Sequence, residues 1–344
     1  MLSFEEFQEH IKEHIKEYLP DEFSDAKVTL TTISKLNGVE LHGINVMRSL
    51  EGQKHAISPT IYLESFYDNY ENGMEMDLIL EKIANLERQG MNPRKEIEEV
   101  AKNYTNFDYA KDRVVVTVIN AEKNETYLQN KPHRNVEDLA IIYRVLVDEI
   151  GDSTASIVVT KDHMDKWGVT EEELHEIAME NSKKILPVYV TSMGELMRDL
   201  LKEAESNENI DAMSLDSMER GMYVITNNRK VNGVSAILYS DALEQLAEKM
   251  GTDLYIFPSS IHEVIVVAAN EDRLAEYEET VREVNRAEGS REEFLSDHVY
   301  RYDAKSRTIT IAESYSESRQ ESAVCEQTEY AAAENEVGRP RHHR

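Results

Sequence analysis

Apolar residues recur at helical spacing from the start of the chain. Phe4, Phe7, Ile11, Ile15 and Leu19 form one stripe of an amphipathic helix over residues 2–19. Ser3 with Glu6 three positions on predicts a capping box at its start, and Pro20 stops it. Two extended runs, 27–33 and 39–47, flank Leu36-Asn37-Gly38. Asn-Gly between extended runs predicts a hairpin, because both central residues of the tight turn need positive φ. Ser58-Pro59 predicts the start of a helix reaching about Tyr70 and ended by Gly73. A second helix over 74–88 places Leu78, Ile79, Ile83 and Leu86 on one face. A third starts at Asn92-Pro93 and carries Ile97, Val100 and Ala101.

The pattern changes after residue 106. RVVVTVIN at 113–120 is rich in β-branched side chains and predicts a strand. Runs at 139–147 and 155–160, joined through Gly151-Asp152-Ser153, predict an antiparallel pair. Thr170, with Glu173 at the box position, caps a helix that buries Leu174, Ile177 and Ala178. Residues 186–192 read as extended, 193–204 as helical and 205–219 as a polar exposed connection. Strands are predicted at 222–226 and 233–239 around the turn NNRKVNG. Ser240 then caps a helix to Met250, closed by Gly251. Strands at 254–257 and 264–268 are joined through Pro258-Ser259-Ser260, a helix covers 270–285, and 299–303 with 307–311 forms a last hairpin. IVVT before DHMDKW and ILYS before DALEQL both read strand–cap–helix, a hint of duplication.

From Glu313 onward there is no Leu, Ile, Phe, Met or Trp. Such a segment buries too little apolar area to offset its conformational entropy, which predicts a disordered acidic C-terminal tail. The predicted fold class is α/β of the α+β type, with mixed, largely antiparallel sheets and flanking helices. The predicted domains are 1–106 (helix, hairpin and helical segment), 107–312 (α/β body with the weak strand–helix repeat) and 313–344 (tail).

Composition narrows the functional classes. The chain has 344 residues with 38 Lys and Arg against 67 Asp and Glu, a formal net charge of −29. A charge of that sign and size repels phosphate backbones, so nucleic acid is not an expected partner. It fits a solvated surface, with carboxylates spread over outer helix faces, a single acidic ridge that mimics a duplex, or a surface that binds a basic partner protein; the spread is expected. The apolar runs are too short to span a bilayer, so no membrane association is expected. Cys325 is the single cysteine, so no internal disulfide forms, and the N-terminus lacks the pattern of a signal peptide. Both predict a cytoplasmic protein.

The segments PTIYLESFYDNYENG, INAEKN, KPHRNVEDLA, TEEELHEIAMEN, MYVITN, FPSSIHEVIVV and LSDHVYRYD occur here in that order. With YLP near the start and the Asn-Gly hairpin, they resemble the bacterial domain-of-unknown-function 5688 family over about residues 4–311. Two short segments, TEEELHEIAMEN and DLYIFPSSIHEVIVV, are also similar to the domain-of-unknown-function 1444 group. Neither resemblance implies an activity, a substrate or a catalytic residue.

The candidate chemistry is sparse. His10 and His14 share a helix face at a spacing that two zinc ligands use, but HExxH is not formed and the plainer reading is a polar flank. Ser259, Ser260, His262 and Glu263 have the residue types of a serine hydrolase without the GxSxG elbow. Adjacent His262 and Glu263 on a strand would point to opposite faces, and a Pro-Ser-Ser turn explains the segment without catalysis. His133 with Asp138 is the other candidate acid–base pair, with Asp297-His298 behind it. NNRKVNG matches no phosphate-binding loop, and neither a cofactor nor a bound metal is implied. Tyr62, Tyr67 and Tyr70 make an aromatic face that suits a core or a protein interface. Together these features favour a non-enzymatic intracellular accessory protein that acts by binding another protein. The alternative is a hydrolase-type enzyme using His262 or His133 in a cleft. The oligomeric state stays open.

Overall fold

The computed structural model describes residues 1–48, 59–90, 103–150, 153–203, 221–239, 241–258, 260–288 and 291–313. The chain forms two compact units that interleave along the sequence. The first holds Met1–Val116, Ala121–His133 and Ile142–Ala178; the second holds Thr117–Asn120, Arg134–Ile141 and the chain from Met179 onward. The architecture is an α+β mixture with three mostly antiparallel sheets.

In the first unit, α1 (Phe4–His14) starts on the predicted capping box. The Ser3 hydroxyl accepts the Glu6 N–H, and the Glu6 carboxylate accepts the Ser3 N–H at 2.8 Å. The helix runs on as a 3₁₀ turn, Ile15–Tyr18. Phe7, Ile11, Ile15 and Leu19 are all buried. The hairpin of β1 (Lys27–Ser34) and β2 (Glu40–Met47) turns on Asn37 and Gly38, at φ 57° and 70°. Those two left-handed residues are what the Asn-Gly pair supplies.

Two readings of this region are corrected. The helix expected from Pro59 begins later, as α2 (Glu64–Glu71), because Ile61–Tyr62 forms β3 and pairs with Gly43 and Ile44 of β2. In α3 (Met76–Gly90) the buried stripe is Ile79, Leu80, Ile83 and Ala84, while Leu78 and Leu86 are 45% and 43% exposed. The small Ala84 lets the helix approach the core on that rotated face, a choice that packing makes and periodicity does not reveal. The tyrosines of α2 are half-buried and pack against the core. Tyr67 packs on Phe4 and Phe7, and the Tyr67 hydroxyl donates to the Leu2 carbonyl at 3.1 Å. Tyr70 packs on Phe7, and its oxygen accepts the Leu2 N–H at 3.0 Å. The helix expected from residue 92 lies outside the described residues.

A four-stranded sheet has the order β4 (Val114–Asn120), β6 (Leu139–Ile150), β5 (His133–Val136), with β7 (Ser153–Val158) also on β6. Every residue of β4 is buried, which is why its sequence is a nearly continuous apolar run. Phe107–Ala110 and Glu125–Leu128 form the short helices α4 and α5. Helix α6 (Lys161–Trp167) is capped by Thr160, and α7 (Glu171–Ile185) starts on the predicted Thr170–Glu173 box.

The second unit is built on a six-stranded sheet of order β13-β12-β10-β11-β9-β8, antiparallel at each pairing. Its strands are β8 (Val188–Ser192), β9 (Met222–Asn227), β10 (Leu254–Phe257), β11 (Val264–Ala268), β12 (Tyr300–Asp303) and β13 (Thr308–Ile311). Its helices are α8 (Met193–Glu203), α9 (Ala236–Tyr239), α10 (Ala242–Met250) and α11 (Leu274–Glu288). The segment 233–239, expected to be a strand, is a 3₁₀ turn followed by α9. A short apolar run bounded by turn residues fits a buried helical turn as well as a strand. Ile237–Tyr239 is therefore helical where a strand was expected, and the suggested strand–cap–helix duplication fails. Helix α10 has Asp241 at its N-cap without a side-chain bond, and Gly251 closes it at φ 72°. Ser240, the connection at 205–219 and everything after Glu313 lie outside the described residues.

Exposed carboxylates lie along α1, α7, α8 and α11, several with a basic partner one turn away, such as Glu9–Lys12 and Arg273–Glu276. Among the described residues no helix is long and apolar enough to cross a membrane.

Candidate functional site

Two loops of the second unit carry most of the residues singled out for chemistry. In the loop between β10 and β11, the Ser260 hydroxyl donates to Glu263 Oε1 at 2.9 Å and accepts the His262 N–H at 3.0 Å. His262 Nδ1 accepts the Asn232 N–H at 3.2 Å. That bond assigns the ring proton to Nε2, which faces Glu293 Oε1 at 3.5 Å. The His262 carbonyl accepts the Thr226 hydroxyl at 2.7 Å. One ring nitrogen thus holds a backbone N–H, the other lies beside a carboxylate, and the serine hydroxyl faces a carboxylate of its own. A hydroxyl nucleophile needs a base within hydrogen-bond reach, and the ring here is turned to other partners. Ser259 lies outside the described residues.

The segment 291–299 is pinned from several sides. Asn120 donates to the Leu295 carbonyl and Asn285 to the Ser296 carbonyl, both at 2.9 Å. Asn285 also donates to Asp297 at 2.9 Å. The buried Ser296 hydroxyl donates to Asp138 Oδ2 at 2.7 Å and accepts the His298 N–H at 3.0 Å. The Tyr300 hydroxyl donates to Asp138 Oδ1 at 2.5 Å. Burial, then the Asp138 carboxylate, pushes the Tyr300 phenol far above its usual range, so it stays a donor. Asp138 is therefore an acceptor for two buried hydroxyls. His133, suggested as its acid–base companion, places Nδ1 on the Lys131 carbonyl at 2.9 Å. We expect Tyr300→Phe to cost about 1–2 kcal/mol, the loss of one buried charge-assisted bond. A urea midpoint equal to the parent's would show that the hydroxyl adds nothing.

Beside this polar pin lies an apolar cavity of about 20 Å³, walled by Val118, Ile141, Leu238, Ile256, Val264 and the Tyr300 ring among others. About 10–15 Å³ is needed for one water, so the space holds about one or two waters. The wall exposes no polar atom and offers no reacting group.

The metal candidates fare similarly. The His10 and His14 rings lie tilted, 4.4 Å between centroids, and His14 Nδ1 bonds Glu17 at 2.8 Å. Among the described residues no group of three or more His, Cys, Asp or Glu side chains is placed to hold a metal ion. Cys325 lies outside the described residues.

A different surface stands out at the end of the six-stranded sheet. The Pro187 carbonyl accepts the Asn228 N–H at 2.9 Å, and the β8–β9 register runs on from that pair as Val188↔Asn227 and Tyr189↔Thr226. Antiparallel pairs alternate between bonded and non-bonded. Pro187, Tyr189 and Thr191 therefore face β9, while the N–H and C=O of Val188 and Val190 point outward. Tyr189 and Val190 are 44% and 38% exposed. The Lys230 ammonium lies 5.9 Å from the Tyr189 ring centre, Arg229 is its neighbour, and Lys183 and Lys184 lie in the last turn of α7 just before the strand. Sequence reading picked out the NNRK turn but not this edge, since an edge exists only once the strand order is known.

The family model that matches the chain is described as "Family of unknown function (DUF5688)" and covers residues 4–304. No curated protein matches, and no solved structure matches.

Proposed function

Starting from a chain that belongs to the family of unknown function DUF5688, and so inherits no activity from it, we propose a non-enzymatic protein that binds another protein through the β8 edge. The observation that carries this reading is the exposed side of β8, unpaired among the described residues, with Tyr189 and Val190 upon it. Exposed sheet edges with an aromatic beside them are ready templates for a partner. The backbone N–H held by His262 Nδ1, the Ser260 hydroxyl turned to Glu263 and the small apolar cavity support binding over hydrolysis. The lone cysteine supports a reducing, cytoplasmic setting. The aromatic face of α2, read as suiting a core or an interface, is half-buried, and its Tyr67 and Tyr70 rings are already packed against Phe7.

The test is photo-crosslinking in native lysate, with benzoylphenylalanine placed at Tyr189 and, as a control, at the exposed Val284 of α11. A discrete adduct from position 189 that is absent from position 284 is expected. No adduct at 189, or the same adducts at both, overturns the reading.

A further inference from the structure

We infer that the edge of β8 takes an extended acidic segment of a partner protein as a seventh strand. This rests on the binding reading above and adds the chemistry of the partner. The outward N–H and C=O groups of Val188 and Val190 form a ladder with no bonded partner among the described residues. An added strand would pair with them by main-chain bonds alone. Successive side chains of a strand leave by opposite faces, so Tyr189 and Val190 offer one contact surface on each side of the incoming strand.

Charge selects the strand. The net charge of −29 makes a cationic margin conspicuous. Lys183, Lys184 and Lys230 are exposed around the start of β8 beside Arg229, and the ion pair that holds Lys184 is a solvent-exposed one with Glu180. Complementary charge steers encounter and rejects wrong partners, which favours carboxylates on the incoming segment. A second copy of this chain gains no such complement. It brings the same lysines and a second charge of −29 to the contact.

The register supplies a sharp variant. The Val190 N–H points away from β9, so Val190→Pro removes an outward donor and spares the existing ladder. The experiment uses the full chain and two labelled, N-acetylated and C-amidated peptides, EVEVTVE and KVKVTVK, read by fluorescence polarisation at low salt. The acidic peptide is expected to bind, the basic one about tenfold more weakly or worse, and the Lys183→Glu/Lys230→Glu double variant to reverse that preference. Val190→Pro is expected to lose binding with its thermal transition retained. Because that variant could fold poorly, hydrogen exchange on the unaltered protein provides a second readout: the Val188 and Val190 amides should gain protection with the acidic peptide. Equal binding of both peptides, unchanged binding by a folded Val190→Pro, or no gain in protection overturns the inference. So does a dimer in sedimentation that Val190→Pro dissociates, since the occupant would then be a second copy. If the peptides fail while position 189 still captures a partner and position 284 does not, this inference falls and the binding reading stands; if both fail, both fall.

Discussion

Alanine at Gly233 is expected to destabilise the second unit by about 3 kcal/mol or more. A Cβ there would press on the Thr226 hydroxyl and the His262 carbonyl and would come within 2.8 Å of the Asn227 nitrogen. Two of those three are backbone atoms, which cannot swing aside as a side-chain tip can. The third holds the Thr226–His262 bond at 2.7 Å, so the added methyl both overpacks the site and breaks a buried hydrogen bond. Hydrogen exchange at the β9 and β11 amides is the suitable readout, because the lone tryptophan, Trp167, belongs to the first unit. Unchanged protection in Gly233→Ala would refute the close approach.

Glu87→Gln is expected to act in the opposite sense in the first unit. Glu87 lies on the buried side of α3 with no exposure, and neither carboxyl oxygen has a hydrogen bond of good geometry among the described residues. Burial raises its pKa from the ordinary 4.5 to about 7, against a smaller opposing pull from the Val46 backbone N–H. The folded state therefore holds the proton more tightly than the unfolded chain does. The stabilisation from that proton is fully present below pH 4.5 and is lost as pH rises through about 7. At ~1.4 kcal/mol per pH unit the difference is about 3 kcal/mol. Glutamine cannot ionise, so the variant should gain about 2–3 kcal/mol at about pH 8 and little at about pH 4. Urea unfolding followed by Trp167 fluorescence across that range checks it. A parent and variant with the same slope between those limits would remove Glu87 as the cause.

What could be read from the chain was local. Ser3 with Glu6, Thr170 with Glu173, and Asn37-Gly38 each place a donor, an acceptor or a positive φ within a few residues, and each does in the structure what its spacing implies. Where a choice depended on packing, the pattern was ambiguous. GVSAILY fits a strand or a buried helical turn, and α3 chose Leu80 and Ala84 over Leu78 and Leu86. The candidate site was hidden by distance along the chain. Asp138 meets Ser296 and Tyr300 more than 150 positions away, and His262 is held by Asn232 and Glu293, about 30 away on either side. Adjacent Ser, His and Glu letters suggested a catalytic group, whereas the partners that decide a histidine's role come from other elements.

The interleaving of the two units has a bearing on how the chain is made. Val118 on β4 lines one cavity with Leu238, Ile256 and Val264, the first of which is synthesised 120 residues later. At roughly 5–20 residues per second, the ribosome leaves that side chain without those neighbours for roughly 6–24 s. The exposed stretch is VVVTVIN, a β-branched run with no charge and no proline, the composition that pairs readily with other nascent chains. A strand fully enclosed in the finished protein is thus the part of it most in need of protection during translation, and chaperone demand should peak before the second unit is complete.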